Sequence, residues 1–159
     1  MSEIEPILEP IVLTPIGIVH SSRSDIKDDH WDAEKVWIEL AEEFGPETLK
    51  GLDSFSHVAV LFYMHKVTRI NTGARRPRNR QDWPEVGIFA QRGKNRPNQM
   101  GLTVCEVLKV EGKGLYLKGL DAVHGTPVLD LKPWVHSMGP RGETVEPHWM
   151  QELMQNYWS

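Results

Sequence analysis

Apolar residues along this chain come in short runs separated by glycine, proline and charged positions, a pattern that predicts strands rather than helices. Ile11–His20 is rich in Ile and Val and is broken by Pro15 and Gly17, as at an edge or bulged strand. His57–Met64 is almost continuously apolar, which predicts a strand buried on both faces, and Val86–Ala90 is a shorter run of the same kind. Leu102, Val104, Leu108 and Val110 alternate with more polar neighbours. Leu115–Leu120 follows across Glu111–Gly114, a turn of hairpin length, and Val128–Leu131 adds a further strand. Two periods compete in Lys35–Phe44, where the alternation of Val36, Ile38 and Leu40 favours a strand through Leu40. Helical spacing is confined to two places. Pro46–Gly51 predicts one short turn ended by Gly51, and Pro147 followed by His148–Trp158 puts Trp149, Met150, Leu153, Met154 and Tyr157 on one face. Six or seven short strands with few helices predict a mainly β fold, a barrel or a sandwich.

The 159 residues have the length of one domain. The single cysteine, Cys105, excludes an internal disulfide and a cysteine-rich zinc site and fits a reducing compartment, the cytoplasm. The acidic N-terminal stretch MSEIEPILEP does not read as a secretory signal. No apolar run approaches the roughly 20 residues that span a bilayer. The net charge of −4 hides an asymmetry: residues 1–65 carry −9, residues 66–96 carry +7 and residues 97–159 carry −2. A positive block inside an acidic chain points to an anionic partner more directly than the total does. Within that block, Thr68–Pro84 has no apolar period. It is read as a structureless, mobile loop bearing Arg69, Arg75, Arg76, Arg78 and Arg80, side chains suited to an anionic partner.

Several catalytic signatures are missing. There is no GxGxxG after a strand, no GxxxxGK[ST], no GxSxG and no HExxH, and the seven histidines show no i,i+4 ligand pair, so no metal is expected. Three blocks carry chemistry. Phe89–Gly101 sends Arg92, Lys94, Arg96, Asn95 and Asn98 into one loop, a supply of charged forks and amides for an anionic or carboxylate-bearing ligand. Leu120–Trp134 turns at Gly125-Thr126-Pro127, leaving Asp121 at one strand's end and Asp130 and Lys132 on one face of the next. Gly51–His57 is a polar turn before a strand whose other end carries His65 and Lys66, beside the arginine-rich segment.

Taken together and in order, IGIVHS (16–21), GLDSFSHVAVLF (51–62), VGIFAQRGKNRPNQMGLTV (86–104) and GLDAVHGTPVLDLKPW (119–134) resemble the TsaA-like (YaeB, TrmO) family, S-adenosylmethionine-dependent tRNA methyltransferases that modify threonylcarbamoyladenosine beside the anticodon. The resemblance implies one domain over 1–159, with a small β-barrel over about 11–134 and a C-terminal extension with a helix over about 135–159. It implies a homodimer with S-adenosyl-L-methionine sites near the subunit contact and tRNA as the other partner. The cofactor contacts it implies are Asp29, His30, Trp31, His65, Lys66, Arg92, Leu102, Asp121, Ala122, Val123 and His124. Arg96, Asn98, Asp130 and Lys132 are the candidates for catalytic roles. The chain departs from the family's usual RPNPIG at Gln99 and Met100 and from its D-G-T-P at His124, and the polar segment that usually follows its KPY is replaced by Trp134–Pro140. Methyl transfer from a sulfonium is an in-line displacement that needs positioning rather than a metal or a covalent nucleophile, in keeping with the missing signatures. The alternatives are a methyltransferase with another RNA or a small-molecule acceptor, and a non-catalytic dimeric RNA-binding or regulatory barrel.

Overall fold

The computed structural model describes residues 8–159; residues 1–7, part of the N-terminal stretch that does not read as a secretory signal, lie outside the described residues. The described residues form eight strands: β1 (Gly17–His20), β2 (Lys35–Leu40), β3 (His57–Tyr63), β4 (Ala74–Arg75), β5 (Val86–Gly87), β6 (Met100–Glu111), β7 (Gly114–Lys118) and β8 (Pro127–Pro133). Six of them close into an antiparallel barrel in the order β1-β2-β7-β6-β3-β8, with β8 pairing back onto β1. Closure removes the exposed edges that an open sheet of this size would carry. The single α-helix among the described residues, α1 (His148–Met154), follows the barrel.

Alternation explains which side chains fill the interior. Val19, Val36, Ile38, Val58, Val60, Leu115, Leu117 and Val128 are at most 2% exposed and form the core with Phe62, Cys105 and Leu120. The strand His57–Tyr63 is not buried on both faces as its apolar run predicts: Val58, Val60 and Phe62 point inward, whereas Ala59 and Leu61 are only half-buried. On β6 the inward residues are Thr103 and Cys105, and the alternating Leu102 and Val104 face outward, 48% and 40% exposed. A register shift between Val107 and Lys109 resets the alternation, so one period does not describe the whole strand. At Gly101, across from Phe62, a Cβ would lie 2.3 Å from the Phe62 ring, so this position has no room for a side chain.

Four other expectations change. Residues 11–15 stay exposed and outside the barrel, because Pro15 interrupts the run before β1 begins. Val86–Ala90 pairs only over Val86–Gly87 and then enters a 3-10 turn, Ile88–Ala90. The segment Thr68–Pro84 is structured: β4 pairs with β5, Pro77–Asn79 forms a 3-10 turn, and Pro77 and Trp83 are buried. The helix expected over His148–Trp158 stops at Met154, and Asn156–Ser159 runs on as a tail along the 30–32 segment. Lys35–Leu40 is a strand, and Pro46–Leu49 is the short turn that Gly51 follows, as expected.

Candidate functional site

The two mouths of the barrel differ in chemistry. At one, a concavity of about 610 Å³ is lined mainly by aliphatic and aromatic groups such as Ile16, Leu40, Phe44, Leu49, Leu52 and Phe55. At the other, the chain leaves or enters the strands at His20, Lys35, Tyr63, Met100, Lys118 and Pro127, and the residues that the resemblance singles out for the cofactor gather there.

Their gathering follows from unequal strand lengths. β7 stops at Lys118 opposite Glu106, while β6 continues back to Met100. The chain beyond β7 runs alongside that unpaired part of β6, so Asp121 comes to rest beside Thr103, whose hydroxyl donates to its carboxylate. On the same edge of β6, the Leu102 carbonyl accepts a hydrogen bond from the Arg92 guanidinium at 2.8 Å. A second hydroxyl, from Tyr157, donates to the other Asp121 oxygen. Burial, followed by the Asp121 charge, holds the Tyr157 phenol far above its ordinary pKa, so it remains a donor. Ala122 and Val123 are buried, and among the described residues their backbone N–H groups donate to no protein acceptor.

The 21–34 segment forms the adjoining wall. Arg23 stacks on the Trp31 ring, 3.4 Å from its centroid, and donates to the carbonyls of Lys27, Asp29 and His30. Trp31, 4% exposed, therefore has one ring face covered by Arg23. His30 adopts φ 68°, a conformation uncommon outside glycine, and its Nδ1 contacts the Ser159 carbonyl. Lys66 Nζ reaches the Ser24 carbonyl at 2.5 Å, and His124 Nδ1 accepts from the Ser21 N–H at 3.2 Å. Burial and the neighbouring Lys66 lower the pKa of His65 below the usual histidine value. Gly125, at φ 84°, makes the turn that brings His124 back toward Ser21, and a Cβ there would sit 3.8 Å from His65 Nε2. The five segments that the resemblance singles out thus meet at one mouth.

The catalytic candidates divide. Arg96 folds onto its own loop, donating to the carbonyls of Gln91 at 2.6 Å and Gly93 at 3.5 Å, and Asn98 sits exposed at φ 62° in the turn before β6. Asp130 and Lys132 are not brought to this mouth; they pair with each other at 3.1 Å on β8. Gln99, where the family usually has proline, donates to the carbonyls of Met64 and Val67 and so pins the chain that carries His65 and Lys66.

The arginines of the 68–84 segment are mostly committed within the protein. Arg78 makes a two-pronged contact with Asp29 at 3.0 and 3.2 Å, and Arg76 holds the Trp83 carbonyl. Arg80 pairs with Asp82 at 2.5 Å and lies 4.2 Å above the Trp83 ring. Arg75 is half-buried, whereas Arg69 is exposed. Sequence reasoning missed Arg23, Thr103 and Tyr157. The first stands out only as one of four basic residues in an acidic half, the second sits between two apolar neighbours, and the third reads as an ordinary position on a helix face.

Among the described residues no group of three or more His, Cys, Asp and Glu side chains is arranged to hold a metal, and no helix is long and apolar enough to cross a membrane.

Residues 20–139 match the tRNA-methyltransferase O N-terminal domain. The chain is similar to the human tRNA (adenine(37)-N6)-methyltransferase, 41% identical over 100 residues, 63% of this chain and 23% of that protein. It is also similar to a probable S-adenosyl-L-methionine-binding protein of Methanothermobacter thermautotrophicus, 34% identical over 136 residues, 83% of this chain and 96% of that protein. The crystal structure of TrmO from Pseudomonas aeruginosa superposes with a TM-score of 0.74 at 29% identity, covering 91% of this chain and 64% of that one. The chain spans less than a quarter of the length of its human, rat and mouse relatives.

Proposed function

This chain belongs to the family of the tRNA-methyltransferase O N-terminal domain, and on that footing we propose that it is an S-adenosylmethionine-dependent tRNA methyltransferase of the cytoplasm, acting on the exocyclic nitrogen of threonylcarbamoyladenosine beside the anticodon. The observation that carries the reading is the convergence of Asp121, Arg92, His30-Trp31, His65-Lys66 and the free amides of Ala122 and Val123 at one mouth of the barrel. That donor set fits the cofactor. A carboxylate suits ribose hydroxyls or an amino group, a guanidinium suits a carboxylate, and two unpartnered amides on buried residues suit a heteroaromatic edge. When bound, the cofactor supplies a methyl group on a sulfonium. The protein's part is to hold donor and acceptor in line at a mouth partly walled by Trp31, Ala122 and Val123.

The test is calorimetry with S-adenosylmethionine, followed by mass spectrometry of nucleosides from tRNA incubated with protein and cofactor. Binding together with a methylated threonylcarbamoyladenosine supports the reading. Binding without any methylated nucleoside rejects tRNA as the acceptor, and no binding at all favours a non-catalytic RNA-binding barrel.

The proposal includes a homodimer, but not through the C-terminal helix. That helix is engaged within its own chain, its Glu152 receiving the Trp83 Nε1–H at 3.3 Å. The supporting surface is the outer face of β3 and β6, where Leu61 pairs with Leu102, Tyr63 with Met100 and Ala59 with Val104. Tyr63, Met100, Leu102 and Val104 are exposed and, with the half-buried Ala59 and Leu61, form an apolar band beside Arg92. Val104→Lys is expected to convert a dimer to a monomer in light scattering at micromolar concentration while leaving the circular dichroism unchanged. A wild-type monomer would reject the dimer.

For tRNA, the supporting observation is the +7 block around this mouth, with Arg69 and the 79% exposed Phe89 available for phosphates and bases. Arg69→Ala is expected to weaken tRNA binding and reduce its logarithmic salt dependence by about 0.7 for each phosphate the side chain no longer neutralises. An unchanged slope would remove Arg69 from the interface.

A further inference from the structure

We propose that the C-terminal tail, Asn156–Ser159, is a working part of the cofactor site, and that Tyr157 is a positioning residue that fixes the Asp121 carboxylate for the cofactor; this rests on the reading above. The tail is docked by backbone as well as side chain. The N–H groups of His30, Trp31 and Asp32 donate to the carbonyls of Asn156, Tyr157 and Trp158 at 3.1, 2.9 and 2.8 Å. Trp158 passes within 3.9 Å of where a Cβ on Gly119 would stand, two residues before Asp121. The one segment therefore touches both walls of the mouth, the 30–32 wall and the 119–121 wall.

The Asp121 carboxylate is gripped from opposite sides. Thr103, on the rigid β6, donates to one oxygen, and Tyr157 donates to the other. With both donors in place the carboxylate has one orientation, and each oxygen keeps a lone pair for a ligand. With Thr103 alone it is tethered at one oxygen and the other is free to swing, so a ligand must order it on binding. Arg92 and Asp28 lie close enough to act on the Tyr157 hydroxyl electrostatically, which places it inside the charged cluster. The six barrel strands pair with one another without the tail, so Tyr157 is not required for closure.

The experiment is a double-mutant cycle on the full chain, with S-adenosylmethionine binding read by calorimetry and thermal stability read in parallel. Tyr157→Phe is expected to weaken binding by about tenfold, the scale of one hydrogen bond to a charged group. Its melting temperature should stay close to that of the wild type. In an Asp121→Asn background, Tyr157→Phe should cost nothing more, because its effect passes through the carboxylate. Amide exchange on the ligand-free wild type supplies an independent readout, with His30, Trp31 and Asp32 expected to be protected by the tail. The inference is overturned if Tyr157→Phe binds like the wild type, or if its loss adds fully to that of Asp121→Asn. It is also overturned if binding tightens, which would make the tail an occupant of the site, or if the three amides exchange freely. A wild type that binds no S-adenosylmethionine sinks the functional reading and this inference together; a wild type that binds while Tyr157→Phe matches it sinks only the inference.

Discussion

Asp121→Ala is expected to raise the dissociation constant for S-adenosylmethionine roughly a hundredfold, and Arg92→Ala by at least about tenfold. Asp121 is the carboxylate toward which two hydroxyls from different elements converge, so its removal costs more than one ligand interaction. The Thr103 and Tyr157 hydroxyls lose their acceptor, and Thr103 is only 9% exposed. Buried donors left without partners are costly whether or not a ligand is present, so a modest fall in melting temperature should accompany the loss of affinity. Arg92 differs because it is exposed and holds only the Leu102 carbonyl within the protein. Its truncation should leave stability almost untouched and appear in binding alone. Calorimetry on the two variants separates these outcomes, and wild-type affinity in both would mean that the cofactor lies elsewhere.

The contrast between Asp121 and Asp130 shows what the sequence could convey about this site. Both are acidic residues of the same 15-residue block, Asp121 at one strand's end and Asp130 within the next strand, and both are candidates on composition. Which one reaches the mouth depends on β7 ending at Lys118 while β6 runs on to Met100, a difference in strand length set by pairing rather than by either strand's own residues. The barrel strands are legible because a buried core imposes alternation on them. The outward Leu102 and Val104 mislead for the same reason: an apolar band on the outer face has the period of a buried one. The arginine-rich segment reads as a solvated loop because its partners are remote in sequence. Asp29 lies 49 positions from Arg78, and Glu152 lies 69 positions from Trp83. Such contacts leave no periodic trace, so five arginines suggest five free cations where three are tied down, Arg78 by the distant Asp29 and Arg76 and Arg80 by the Trp83 carbonyl and Asp82 within the segment. The tail carries no signal because Tyr157 and Trp158 continue the apolar spacing of α1 beyond the point where the helix ends.

Trp83 is where that misreading can be tested most severely. Its indole is 3% exposed in a segment with no apolar period, and it joins that segment to the remote helix α1. Its ring supports Arg80, its Nε1–H donates to Glu152 on α1, and it lies 6.3 Å from the Trp149 ring. Trp83→Ala is expected to cost about 3 kcal/mol, the lower part of the range for removing a buried tryptophan, because part of the cavity opens toward solvent and can relax. The loss should not stay local. With Trp83 gone, α1 keeps only the long Arg80–Glu152 ion pair, 3.8 Å, to the 68–84 segment, and the tail that reaches Asp121 loses much of what positions its helix. Amide exchange should therefore rise at Ile88, whose N–H donates to Gly73 across the β4–β5 pair, and also at Trp31, which depends on the tail. The strands of the barrel should keep their protection. Trp83→Phe retains an aromatic ring and gives up the bond to Glu152, so it should cost about 1 kcal/mol and leave both amides largely protected. If Trp83→Ala instead leaves the melting temperature and both amides as in the wild type, the segment is held by something other than its tryptophan. The coupling from the arginine-rich excursion through α1 to the Asp121 carboxylate would then not exist.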